Sequence, residues 1–125
     1  MREIKFRGKL VNSGKWAEGN LITRKTGTAI ITPDETVLGS YGKVIPETIG
    51  QYTGLKDKNG KEIYEGDIIK VRAYLSGYIN AEVYFKDGKF AFDGSNYNFK
   101  DLNNKVEVIS NIYDNPELLG GNNGD

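Results

Sequence analysis

The stretch INAEVYFKDGKFAF, residues 79–92, decides the fold class. Apolar side chains recur at every second position up to Asp87-Gly88 and again after it, the pattern of two strands joined by a two-residue turn. With Asp87 and Gly88 as the loop, Phe85 faces Phe90 and Val83 faces Phe92, so four apolar side chains share one side of the ribbon. The remaining composition agrees. Ile, Val, Thr, Tyr, Phe and Trp together number 40, against 14 for Leu, Ala and Met, and 16 glycines punctuate the chain. That balance favours strands over helices and reads as all-β.

Upstream of the hairpin, Glu65-Gly66-Asp67 turns the chain into a strand from Ile68 to Tyr74, and the run Ile68, Ile69, Val71 predicts burial on both faces. Lys58-Asn59-Gly60-Lys61 reads as a type I′ turn with Asn59 and Gly60 at its corner, and Thr48 to Tyr52 as a short strand before it. Residues 2–11 read as a strand with Ile4, Phe6, Gly8 and Leu10 on the core face and Lys5, Arg7 and Lys9 on the other. Trp16 to Thr23 and Thr28 to Thr32 add two strands to make a meander, and Asp34 to Gly42 reads as a loop. Downstream, Val106 to Tyr113 is the last long strand. Asn115-Pro116-Glu117 then supplies a cap, a first-turn proline and an early acid, so a helical turn through Leu118 and Leu119 is expected. The resulting layout is an N-terminal β-meander and loop over 1–47, an SH3-like, partly open small barrel over 48–119 sharing one core with it, and a disordered tail over 120–125.

Composition also removes chemistry. With no Cys and no His among 125 residues, there is no thiolate or imidazole for nucleophilic, general-base or metal-binding work. The five serines lie in or beside turns and strand ends, outside any nucleophile-elbow pattern. Glu62, Glu65 and Asp67 are the densest acids and the residual option for a carboxylate-dependent hydrolase, but Asp67 after Gly66 reads as a turn former bonding backbone N–H groups. Asp57-Lys58-Asn59-Gly60 lacks the Gly and twelfth-position acid of a calcium loop and reads as a hairpin turn. The expectation is a protein that is not an enzyme, with no catalytic residue, cofactor or metal. Neither a signal-peptide core at the start nor an apolar run of about 18 residues occurs, so a soluble cytoplasmic chain without a membrane partner is expected.

Zero net charge, from 17 Lys/Arg and 17 Asp/Glu, hides an uneven distribution. Residues 1–25 hold seven bases and two acids, while residues 51–125 hold nine bases and twelve acids. Lys5, Arg7, Lys9 and Trp16 are therefore the candidate nucleic-acid-binding residues, cations for phosphates and an indole for a base. Against this stands the plainer reading of a solvated face with lysines guarding an edge strand.

Three blocks, REIKFRGKL at 2–10, TIGQYTGLKDKNGKEIYEGDIIKV at 48–71 and VISNIYDNPELL at 108–119, resemble in order and spacing the YopX family of small bacteriophage and prophage proteins. The resemblance implies a β-rich, partly open barrel and a phage origin, hence a bacterial host cytoplasm, and it carries over no catalytic or binding residue. Together with the missing catalytic toolkit and eight dispersed tyrosines, suited to interfaces, it implies a non-catalytic, self-associating interaction module that binds a phage or host macromolecule, with nucleic-acid binding as the alternative.

Overall fold

A computed structural model describes residues 3–27, 29–32, 42–72, 77–93 and 105–120. The expected loop up to Tyr41, the end of the predicted strand at Tyr74 and the tail at 121–125 lie outside these residues. The chain is all-β, with antiparallel sheets and one short helical turn, and divides into two compact units, Met1–Tyr52 and Thr53–Asp125.

In the first unit β1 (Phe6–Lys9), β2 (Trp16–Thr23), β3 (Ala29–Thr32) and β4 (Gly42–Val44) form an antiparallel meander in the order β4-β3-β2-β1. The strand expected over 2–11 is shorter because β1 finds its partner only opposite Trp16 to Gly19. β4 is a strand that the sequence did not announce. It begins at the end of the expected loop and is held by Ala29 to Ile31. One isolated bridge joins the outer strands, Leu10 opposite Val44, through the Val11 N–H to the Lys43 carbonyl and the Ile45 N–H to the Lys9 carbonyl, each 2.9 Å. The meander thus curls into a partly open barrel. Its inside is apolar: Ala29, Ile31 and Val44 are buried, with Phe6, Leu10, Ala17, Leu21 and Ile49 packed against them.

Curling this tightly leaves no volume where β1 passes β4. A Cβ on Gly8 would sit 3.1 Å from the Val44 Cβ and 3.2 Å from both its methyls. One on Gly42 would collide with the Leu10 side chain. The Pro46–Thr48 segment is a 3₁₀ turn rather than the start of a strand, because the Thr48 hydroxyl donates to the Ile45 carbonyl at 2.6 Å and accepts the Lys9 N–H at 2.9 Å. The strand expected at Thr48–Tyr52 therefore begins two residues later, as β5 (Gly50–Lys56), whose first residues pair with β1.

In the second unit, the latter half of β5 leads to β6 (Glu62–Tyr64), and β7 (Asp67–Arg72) is the middle of a three-stranded sheet between β8 (Tyr78–Glu82) and β11 (Glu107–Asn111). β9 (Tyr84–Lys86) and β10 (Lys89–Ala91) form a separate ribbon with Phe90 opposite Phe85, as expected. Its corner residues have positive φ, 54° at Asp87 and 81° at Gly88. The strand expected from Ile79 to Phe85 breaks at Val83, which bonds instead to Gly66 and Asp67. The predicted final strand stops at Asn111 because the Asn111 side-chain oxygen accepts the N–H groups of Tyr113 and Asp114 and turns the chain. α1 (Glu117–Gly120) follows, anchored to β8 where the Asn80 amide donates to the Leu118 carbonyl at 3.1 Å. The core joins Ile63, Ile69, Val71, Ala81, Val83, Val106 and Val108, with Leu55, Ile79 and Phe92 at its margin.

Gly8→Val is expected to lower the unfolding free energy by about 1–3 kcal/mol, the usual cost of overpacking. Urea denaturation followed by tryptophan emission measures it; an unchanged midpoint would show that β1 and β4 can part.

Candidate functional site

Alternation along β1 places Lys5, Arg7 and Lys9 on the outside of the first unit, and antiparallel register brings Trp16 directly opposite Lys9. The structure therefore gathers all four candidate residues on one face. The Arg7 guanidinium carbon lies 4.7 Å from the centre of the Trp16 ring and the Lys9 ammonium 5.8 Å from it. Lys5 lies 5.4 Å from the Tyr52 ring and 3.5 Å from the Glu3 carboxylate. Arg7 is buried, while Lys5, Lys9 and Trp16 are half-buried. Cations over aromatic rings are worth about 0.5–1 kcal/mol when exposed and ~2 when desolvated, so these rings are in part engaged by the protein's own charges. Beside them the same outer surface exposes Val11, Ile22 and Ile45, at 50%, 41% and 36%. Alternation from the register places each on that side, away from Leu10, Leu21 and Val44.

Of the acids weighed for catalysis, Asp67 has a backbone duty. Asp67, fully buried, accepts the Tyr64 N–H at 2.7 Å across the Glu65-Gly66 turn. Glu62 accepts the Tyr64 hydroxyl at 3.2 Å. Asp57 does most. Its Oδ1 accepts the N–H groups of Asn59 and Lys61, each at 2.8 Å, and its Oδ2 accepts the Val108 N–H of β11 at 2.9 Å.

This geometry corrects the expected type I′ corner. The Gly60 N–H reaches back to the Asp57 carbonyl, and Gly60 has φ +83° whereas Asn59 does not have a positive φ. Lys58 and Asn59 thus form a right-handed corner followed by a left-handed glycine, the three-residue hairpin loop. Burial works against the charge on Asp57, but the N–H groups of Val108, Lys61 and Asn59, with the charge of Lys61, outweigh it and hold the carboxyl below its ordinary value.

A second group was not singled out in the sequence. A cleft of about 330 Å³ is lined by Asn80, Ala81, Glu82, Tyr84, Asp93 and Leu119. The Tyr84 hydroxyl donates to Asp93 at 2.6 Å, and that bond, then burial and the charges of Asp93 and Glu82, push the tyrosine pKa up. Burial raises the Glu82 carboxyl. The two-residue turn at Asp87-Gly88 was the available signal, since its register sets Tyr84 opposite Ala91 and so puts Asp93, two residues on, diagonally across on the same side. The cleft is at the small end of ligand-sized cavities. Among the described residues no three acids cluster to hold a metal ion, and no helix is long and apolar enough to cross a membrane.

Comparison with known proteins adds the following. A family model described as YopX protein matches residues 5–120. The crystal structure of protein EF1440 from Enterococcus faecalis is similar, with a TM-score of 0.64 and 29% identity, covering 95% of this chain and 99% of that one. No curated protein matches the chain.

Asp57→Ala is expected to cost about 2–4 kcal/mol, since it strips an acceptor from three N–H groups. Because the folded carboxyl lies below the ordinary aspartate value of about 3.9, its contribution is complete above that pH and vanishes as pH falls through the lowered folded value. Asp57→Asn should remove that part of the acid-side loss in a stability-against-pH series; an unaltered profile would mean that other carboxylates carry it.

Proposed function

The chain belongs to the YopX protein family, and from that premise we propose that it acts without catalysing a reaction, as a β-barrel interaction module that binds a macromolecular partner. The observation that carries this reading is the outer face of the first unit. There Ile45 stands exposed beside Lys9 and Trp16, and Val11 beside Lys43, with Ile22 exposed further along β2, an amphipathic mixture suited to protein contact. In support, Asp57 and Asp67, in the most acidic part of the sequence, are occupied with backbone amides. With the family membership in support, this reading takes the protein as a bacteriophage or prophage product working in the host cytoplasm, with an SH3-like small barrel as its second unit.

A nucleic-acid role is the second reading, and the observation favouring it is that Lys5, Arg7, Lys9 and Trp16 share one face. It ranks lower because Arg7 is buried against the indole.

A photocrosslinking residue introduced at Val11 or Ile45 should give a discrete heavier adduct in host cells, whereas one at Lys58, in the hairpin corner of the second unit, should not. Absence of adducts from both face positions would sink the interaction reading. Under the nucleic-acid reading the adduct contains DNA or RNA, and the purified protein retains single- or double-stranded DNA at about 50 mM salt, with retention lost in the Lys5→Ser/Lys9→Ser variant.

A further inference from the structure

We propose that the partner on the outer face of the first unit is the second unit of another copy of this chain, docked head to tail. The inference rests on the interaction reading above and gives it an occupant.

Charge complementarity carries the choice. Divided at Tyr52–Thr53, the first unit holds eight Lys/Arg and five Asp/Glu, and the second nine Lys/Arg and twelve Asp/Glu. A chain neutral as a whole is therefore a +3 body joined to a −3 body. Like charges keep two first units, or two second units, from pairing face to face, while the opposite pairing is drawn together. On the first unit the positive charge accompanies apolar side chains. Lys43 on β4 is exposed, and the neighbouring exposed residues are Val11, across from it on the chain leaving β1, and Ile45. Lys15, at the start of β2 beside Trp16, is exposed as well.

The second unit supplies the matching components. Three of its acids stand where α1 meets β8: Glu82 and Asp93 line the cleft with Leu119, and Glu117 is exposed at the start of the same short helix, while Lys70 and Arg72 share the sheet face of Glu82, so the excess of negative charge belongs to the unit as a whole. Tyr78, 61% exposed, lies on the sheet face of Glu82 with the Lys70 ammonium 5.2 Å from its ring, whereas Phe85, 50% exposed, is on the other side of its ribbon from the cleft residue Tyr84. A stable contact needs about 800 Å² from each partner, roughly a tenth of the 8005 Å² surface of the chain. Because the two docking surfaces differ, the contact is heterologous, so closure gives a ring or reciprocal dimer and failure to close gives a chain of copies. Two variants altered on opposite surfaces therefore keep one complete original contact between them, the unaltered first unit of one against the unaltered second unit of the other.

Sedimentation velocity on the full chain at about 100 μM tests this. At about 50 mM salt the expected mass is at least twice 13.9 kDa, collapsing to the monomer at about 1 M salt, where charges are screened within ~3 Å. Two charge-reversed variants at exposed positions, Lys15→Glu/Lys43→Glu and Asp93→Lys/Glu117→Lys, should each associate at least about tenfold more weakly at low salt. Mixed one to one they should associate again, because the unaltered basic first unit of one meets the unaltered acidic second unit of the other. Circular dichroism of each variant confirms that the fold is retained, and recovery on mixing is itself evidence of intact faces. A monomer at both salt concentrations, an oligomer indifferent to salt, or mixed variants that stay apart would each overturn the head-to-tail contact. A monomer that still gives a Val11 adduct with a different protein in cells would overturn only this inference and leave the interaction module standing.

Discussion

One carboxylate organises the second unit. An outer strand such as β11 presents backbone N–H and C=O groups that need partners. Here Asp57 meets that need from a hairpin corner, accepting the Val108 N–H while the neighbouring Lys58 N–H bonds to the Val106 carbonyl. The same carboxylate shapes the corner that presents it, through Asn59 and Lys61. Its charge is maintained at 1% exposure because three amide dipoles replace the lost water. Val106 and Val108 are thereby fixed at the edge of the core that contains Ile63, Ile69 and Val71.

The first unit meets a different constraint, that of volume. A four-stranded meander curled until Leu10 bridges Val44 has a narrow interior, and small residues at Gly8 and Gly42 let β1 and β4 approach. What fills the inside then dictates the outside. With Phe6 and Leu10 inward, Lys5, Arg7 and Lys9 must point outward, and register sets Lys9 against Trp16. The basic stripe is thus a by-product of β alternation, and its stacking on Trp16 and Tyr52 shields two large aromatics on an outer surface. Val11, Ile22 and Ile45, also outside by alternation, stay exposed.

Buried and surface acids of the second unit have different partners. Asp57 and Asp67 are used up in backbone bonds, as buried carboxylates in turns usually are, whereas Glu82, Asp93 and Glu117 stand on the surface around α1. The bonds of this second group are to side chains, the Tyr84 hydroxyl for Asp93 and the Asn115 amide for Glu117, not to the backbone.

The sequence by itself determined the class of fold and much of its detail. Alternation set strand faces, so Phe6 and Leu10 are inside and Phe85 faces Phe90, and Asp87-Gly88 fixed a hairpin because only two residues remained for its corner. These features are local, written within about ten residues. Tertiary structure decided what depends on distant partners. β4 is a strand because Ala29 to Ile31 hold it, β5 starts at Gly50 because Thr48 bonds to Lys9, and the Asn59-Gly60 corner changes type because Asp57 must also reach Val108, 51 residues away. Of the cleft of Glu82, Tyr84 and Asp93, the hairpin register announced only the nearness of Tyr84 and Asp93, and Leu119, from a distant segment, completes it. Local pattern encodes which face a side chain takes, but a hydrogen bond to a remote amide is selected only once packing has brought that amide within reach.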